Sequence, residues 1–184
     1  SKDEGQVLEI SLPDSIGPEG YSPHSLMDET VYEEVECGEG MEFGTQVHEY
    51  AEQYCLGADV DPRNADERHV KSLLDSLSGE LHAEENAYLP LETERGRVTF
   101  SGVIDLLHLS PDTVEIIDYK TDRSRHAEPE YRKQLSVYYH VLTDVYPERT
   151  VRTSIFYTQS GEQVSIDPLS KSELRQLVIE TNTE

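Results

Sequence analysis

Two aspartates and one lysine stand in apolar, β-branched surroundings where a charge is costly. Asp105 interrupts the run Gly102-Val103-Ile104-Asp105-Leu106-Leu107, and Asp118 does the same in Ile116-Ile117-Asp118-Tyr119-Lys120. A carboxylate inside a β-sheet needs compensation, and two carboxylates on neighbouring strands compensate each other only through a cation. A hard divalent ion such as Mg²⁺ takes oxygen ligands and keeps several waters, which suits a carboxylate pair, a backbone carbonyl and a substrate phosphate. Lys120 follows Asp118 by two residues, so on a strand both side chains leave the same face. An ammonium placed there can hold an attacking water, help to lower its pKa and offset charge on a pentavalent phosphorus transition state. The chemistry expected is metal-assisted hydrolysis of a phosphodiester. The triplet alone also fits a plain ion pair at a strand end.

The elements that would carry these residues follow from periodicity. Phe43, Val47, Tyr50, Ala51, Tyr54 and Cys55 recur at three and four, predicting an amphipathic helix over 41–57 that bears His48. A second helix is expected over about 66–77, closed by Ser78-Gly79. The period then changes to strands over 82–91, 97–109 and 113–119, an antiparallel meander turning at Gly96 and at Pro111-Asp112. Tyr131, Leu135, Tyr138, Tyr139, Val141, Leu142 and Val145 restore helical spacing over 129–146, which places Gln134 and Tyr138 on one face. A strand over 151–158, a hairpin partner at 162–166 and a last helix over 170–182 complete the chain. The order helix, three strands, helix, strand predicts an α/β fold with a central mixed sheet flanked by helices, over 41–184. Residues 1–40 hold Pro13, Pro18 and Pro23 and no sustained period, and read as a linker or lead-in arm.

The charge balance bears on partners. Asp and Glu total 38 against 15 Lys and Arg, a formal charge of −23, which at ordinary salt repels nucleic acid. The acid is spread along the chain and only five lysines are present, the composition of proteins from salt-loving cells. At molar salt the Debye length falls to about 3 Å, so local chemistry decides what binds. Five of the 15 basic residues lie within 120–133: Lys120, Arg123, Arg125, Arg132 and Lys133. The last four are candidate contacts to a DNA backbone, or else a solvated helix face, and Tyr131 or Tyr139 is a candidate for stacking on an unpaired base. Cys37 and Cys55 are too few for a disulfide framework or an iron–sulfur cluster. No run is long and apolar enough to span a bilayer, and Ser1 to Gln6 are not signal-like, so a soluble, cytoplasmic, nucleoid-associated protein is expected.

Taken together the segments resemble the RecB-like branch of the PD-(D/E)XK nucleases. Its pattern is a helix with glycine and histidine, a G-x-I-D strand, a D-x-K strand and a helix with Y-x-x-Q-L-x-x-Y. Here these are Gly44 and His48; Gly102, Ile104 and Asp105; Asp118, Tyr119 and Lys120; and Tyr131, Gln134, Leu135 and Tyr138, over residues 41–158. The resemblance implies a restriction-endonuclease-like core. His48, Asp105, Asp118 and the Tyr119 backbone carbonyl would hold Mg²⁺ or Mn²⁺, Lys120 would assist the water, and Gln134 and Tyr138 would position the strand or the site. Ile104 stands where the founding pattern has Pro, and Asp118 where it often has Glu, both usual in this branch. Some relatives carry a four-cysteine cluster, which two cysteines cannot build.

In this family the domain is often the C-terminal part of a UvrD-type superfamily 1 helicase, and Tyr21-Ser22-Pro23-His24-Ser25-Leu26 looks like the segment leading into such a nuclease. No Walker A motif occurs here, so the resemblance implies a helicase partner of the UvrD/RecB type in cis or in trans. The activity implied is an exonuclease on DNA ends or single strands in repair or recombination. The alternative is a catalytically silent DNA- or partner-binding module of the same fold; a third reading treats the acids as structural cation sites. Taken singly, His48 also fits a packed helix histidine, and Gln134 a stray polar residue on an amphipathic helix.

Overall fold

The computed structural model describes residues 7–11 and 38–182. The elements run β1 (Val7–Ser11), α1 (Gly38–Cys55), α2 (Ala65–Ser76), β2 (Glu80–Thr93), β3 (Gly96–Leu109), β4 (Thr113–Lys120), α3 (Glu128–Val145), β5 (Thr150–Tyr157), β6 (Glu162–Ser165) and α4 (Lys171–Asn182). The motif at 21–26 and Cys37 lie outside the described residues. None of the described helices is long and apolar enough to cross a membrane.

Among the described residues the strands form a six-stranded mixed sheet in the order β1-β3-β4-β5-β6, with β2 on the other edge of β3. β2, β3 and β4 are the expected antiparallel meander, and Gly96 supplies the positive φ of the β2–β3 turn. β4 and β5 are parallel and are joined through α3, as a crossover connection requires. Residues 7–11, within the stretch expected to be an arm, form a strand that pairs in parallel with Arg97–Ser101. Five residues flanked by Gly and Pro are too short to establish a period.

Two apolar clusters cover the two faces. Leu135, Tyr138 and Leu142 of α3 and Leu174 and Val178 of α4 pack on Phe100, Ile104, Leu107, Ile116 and Ile155. Val47, Tyr50 and Ala51 of α1 and Val70, Leu73 and Leu74 of α2 pack on Leu106, Ile117, Tyr119 and Phe156. Asn64 fixes the start of α2 by accepting the Glu67 N–H at 2.9 Å, while the buried Glu67 carboxylate accepts the Arg63 N–H at 2.8 Å, a reciprocal arrangement like a capping box.

The sheet contains a fault that strict alternation does not anticipate. In β3, Val98, Phe100 and Ile104 face the α3 side, but beyond Asp105 it is Leu107 and Leu109 that do so, while Leu106 faces α1 and α2. β2 switches in step, with Ala87, Leu89 and Leu91 on the α3 side and Leu81 on the other. The β2–β3 ladder pairs Ala83 with Leu106 and Glu85 with Ile104 and omits the intervening pair, Glu84 opposite Asp105. Glu84 takes a φ of 55°, a left-handed conformation that costs a residue with a side chain roughly 1–3 kcal/mol.

Candidate active site

On its other edge too, β3 leaves the ladder at Asp105. Its pairing with β4 ends at Leu106↔Ile117, so Asp105 and Asp118, next in register, are not a bonded pair. β1 occupies the same edge only at 97–101, leaving 102–105 between the two partners. The Asp105 carboxylate replaces the missing main-chain acceptor: Oδ2 receives the Tyr119 N–H at 2.9 Å. A split between strands therefore opens where the two acids stand, which lets their side chains share one space.

α1 delivers His48 to that split from the opposite side. Its Nδ1–H donates to the Gly44 carbonyl at 3.0 Å, one turn back along the helix, and Nε2 lies 3.0 Å from the same Asp105 Oδ2. With an oxygen acceptor at each nitrogen, the ring carries both protons as an imidazolium. Burial opposes the charge, but the Asp105 carboxylate and the Gly44 carbonyl outweigh it and raise the pKa to about 9. The Tyr119 ring meets the imidazole edge-on, with centroids 5.6 Å apart, and restricts its tilt.

The acids are pushed apart in proton affinity. Burial works against the charge on Asp105, but His48 and then Lys120 hold its carboxyl below the ordinary value. Burial dominates at Asp118, and repulsion from Asp105 adds to it; against the pull of Lys120 its pKa rises to about 7. Two carboxyls with separated affinities in one buried site make it a candidate for acid–base or metal chemistry, although structural ion pairs also shift affinities.

Lys120 is 1% exposed. Its Nζ lies 2.5 Å from Asp118 Oδ2, 3.3 Å from Gln134 Oε1 and 4.1 Å from the centroid of the Tyr131 ring. Tyr131 is held in turn by its hydroxyl, which donates to Asp122 at 2.6 Å. α3 thus supplies an amide and an aromatic face to one ammonium, because Tyr131 and Gln134 are three apart on its buried side. Tyr131, 1% exposed and covered by Lys120, cannot stack on a base as its type suggested. Tyr138 lies one turn beyond Gln134, fully buried in the larger core.

Behind Lys120, Thr158 ties the ends of β4 and β5 to α2. Its N–H donates to the Lys120 carbonyl at 2.9 Å, its hydroxyl donates to Asp66 Oδ2 at 2.7 Å, and its carbonyl lies 2.7 Å from His69 Nδ1. Neither Thr158 nor Glu84 figured among the sequence candidates. Asp66, Lys120 and Thr158 are far apart in the chain, and a left-handed glutamate has no marker in composition.

The four basic candidates separate. Arg125 pairs with Glu162 and lies over the Tyr157 ring, Arg132 donates to the Asp167 carbonyl at 2.5 Å, and Lys133 pairs with Glu130 at 2.8 Å. Arg123 is exposed, lines the cleft next to Thr121, and has no partner among the described residues.

His48 Nε2 and Asp105 Oδ2, which share a hydrogen bond here, are the pair that could be adapted to hold a divalent ion. Two ligands held at right angles at Mg²⁺–oxygen distances stand about 3 Å apart, the separation of His48 Nε2 and Asp105 Oδ2. The Gly44 carbonyl on Nδ1 would fix the tautomer that leaves Nε2 free to ligate. No three such side chains are already gathered about one point among the described residues, since Asp118 Oδ2 is turned to Lys120 and must leave it to become a third ligand.

A family model described as the PD-(D/E)XK nuclease superfamily matches residues 61–182. The match contains Asp105, Asp118, Lys120, Gln134 and Tyr138 and begins after His48. Among solved structures the chain is similar to SSO0001, at 16% identity and a TM-score of 0.50, over 84% of this chain and 64% of that one. It therefore spans less than two thirds of that protein's length. A second similar structure is an exonuclease candidate from Eubacterium rectale, at 13% identity and a TM-score of 0.45, over 83% and 69% of the two chains. No curated protein matches the sequence.

Proposed function

This chain belongs to the PD-(D/E)XK nuclease superfamily, and from that premise we propose that it is a Mg²⁺- or Mn²⁺-dependent deoxyribonuclease acting as an exonuclease on DNA ends or single strands. The observation that carries the reading is the convergence of His48, Asp105, Asp118 and Lys120 on the split between β3 and β4.

His48 Nε2 and the carboxylates of Asp105 and Asp118 would hold the ion, with the Tyr119 carbonyl as a further donor. Bound there, the ion supplies Lewis-acid stabilisation of the phosphoryl oxygens and a water of lowered pKa. Lys120 Nζ is confined by Gln134 Oε1 and the Tyr131 ring, and once Asp118 turns from it to the ion, the freed N–H would donate toward the nucleophile and the developing negative charge. Fixing that amine beforehand removes reorganisation from the reaction itself. Tyr138 supports the α3 turn that carries Gln134.

The setting we propose is DNA repair or recombination beside a UvrD/RecB-type helicase, in a salt-rich cell whose ionic strength screens the −23 charge. End-labelled single-stranded and duplex DNA, incubated with Mn²⁺ in low and in molar KCl, test the reading. Progressive shortening that disappears in Asp105→Ala and Lys120→Ala supports it, whereas a mobility shift with no shortening under any condition makes the chain a binding module.

A further inference from the structure

Beyond Lys120 the chain runs into a second feature. β4 and β5 are parallel, and a cleft of about 320 Å³ opens at their carboxyl ends, lined by Gly40 and Phe43 of α1, Asp66 of α2, Thr121 and Arg123 after β4, and Gln159 after β5. Crevices outside the carboxyl ends of parallel strands are where open α/β sheets bind ligands. Thr121 follows Lys120 directly, so the cleft lining begins one residue along the chain from the lysine of the candidate site.

The lining selects its occupant. It offers an aromatic ring, a guanidinium with no partner among the described residues, a hydroxyl, an amide and the Asp66 carboxylate that also holds Thr158: a stacking surface, a phosphate contact and partners for polar base edges. Tracking a duplex backbone calls instead for a row of exposed cations. Of the four basic candidates only Arg123 is uncommitted among the described residues, and the chain carries −23 overall. Stacking requires no net charge, but it does require an exposed base, and bases inside a duplex are already stacked and paired.

We propose that this cleft binds one unpaired nucleotide flanking the reacting phosphate, with its base against Phe43 and its phosphate on Arg123, so that the protein selects single-stranded ends. The inference rests on the nuclease reading for its biological meaning, but its test does not require cleavage. The probes are a single-stranded oligonucleotide carrying 2-aminopurine and a blunt duplex of the same sequence, titrated in EDTA and again in Ca²⁺. Phe43 also packs against the α1–α2 cluster, so Phe43→Leu keeps the apolar contact and removes the ring. A Cβ added at Gly40 would meet no atom of the described residues within 4 Å, so Gly40→Leu adds bulk at the cleft lining without a clash at the backbone.

The wild type should bind the single strand in preference to the duplex and quench the 2-aminopurine. Phe43→Leu and Gly40→Leu should each weaken single-strand binding by roughly 5- to 150-fold, the range expected for one stacked base, and leave duplex binding unchanged. Arg123→Ala should lower the slope of log K against log salt by about 0.7, one phosphate contact on a single strand. Equal affinities for Phe43→Leu, Gly40→Leu and the wild type overturn the proposal, as does equal binding of both DNAs or no single-strand binding in either medium. If the chain cuts DNA while those variants bind normally, the cleft inference alone fails. If they bind weakly yet nothing is ever cut, the inference stands and the enzymatic reading falls.

Discussion

The substitution Asp118→Asn should stabilise the metal-free protein, and increasingly so as pH rises. Asp118 is 2% exposed, and its carboxyl is raised from 3.8 to about 7, first by burial and then by Asp105, so the folded state disfavours its anion. A carboxyl raised on folding contributes stability that is fully present below the unfolded value and is lost as pH climbs through the folded one. At 1.36 kcal/mol per decade, ionising Asp118 costs the fold about 4 kcal/mol above neutrality, and about 2–3 kcal/mol of that falls between pH 5 and pH 8. Asparagine keeps the shape and an oxygen for Lys120 Nζ but never ionises. Urea unfolding of both proteins in EDTA, at constant KCl, should show the variant's advantage growing by about 2–3 kcal/mol over that range, or roughly 5–10 °C in melting temperature. With Mg²⁺ added at pH 8, the wild type should recover stability and the variant should not. A pH-independent difference, or one that turns against asparagine at alkaline pH, would refute the assignment of Asp118 as a buried acid kept for a cation.

At His48 an incoming ion must displace a proton whose pKa is about 9, so Mn²⁺ affinity should strengthen about tenfold per pH unit from 7 to 9 and then level off. Calorimetry at pH 8 in two buffers of different ionisation enthalpy should find about one proton released per ion; none released, or the same number from His48→Ala, contradicts the shared His48–Asp105 site. Lys120→Met should cut the single-turnover cleavage rate by about 10²–10³-fold or more while still binding Mn²⁺, and a loss under tenfold would remove the amine from the reaction. Thr158→Val breaks the 2.7 Å bond to Asp66 and should cost about 1–3 kcal/mol of stability and slow cleavage at unchanged Mn²⁺ affinity; an unaltered rate makes the Thr158 contacts purely structural.

The acids and the lysine stood out because charge inside a β-branched run is costly, although the triplet also fitted the ion pair that Asp118 and Lys120 do form, and the α3 pair stood out because Tyr131 and Gln134 share a helical face. The crossover from β4 to β5 through α3 followed from the alternation of periods. What the sequence could not carry is where alternation fails. A period-2 reading keeps Ile104 and Leu106 on one face, whereas the left-handed backbone at Glu84 and the unpaired Asp105 put them on opposite faces and open the site. The partners of the basic stretch after Lys120 were hidden for another reason: Glu162 and the Asp167 carbonyl, which engage Arg125 and Arg132, lie more than thirty residues downstream. The Lys133–Glu130 pair, three residues apart on α3, could have been anticipated from spacing. Tyr131 looked like a stacking residue because nothing local shows that Lys120 covers its face.

The most direct test is anomalous diffraction from crystals of this chain grown with Mn²⁺. The account predicts one strong peak in the split between β3 and β4, within bonding distance of His48 Nε2, an Asp105 oxygen and an Asp118 oxygen that has turned from Lys120. Mn²⁺ bound only elsewhere, with the His48–Asp105 contact and the Asp118–Lys120 pair intact, would contradict it.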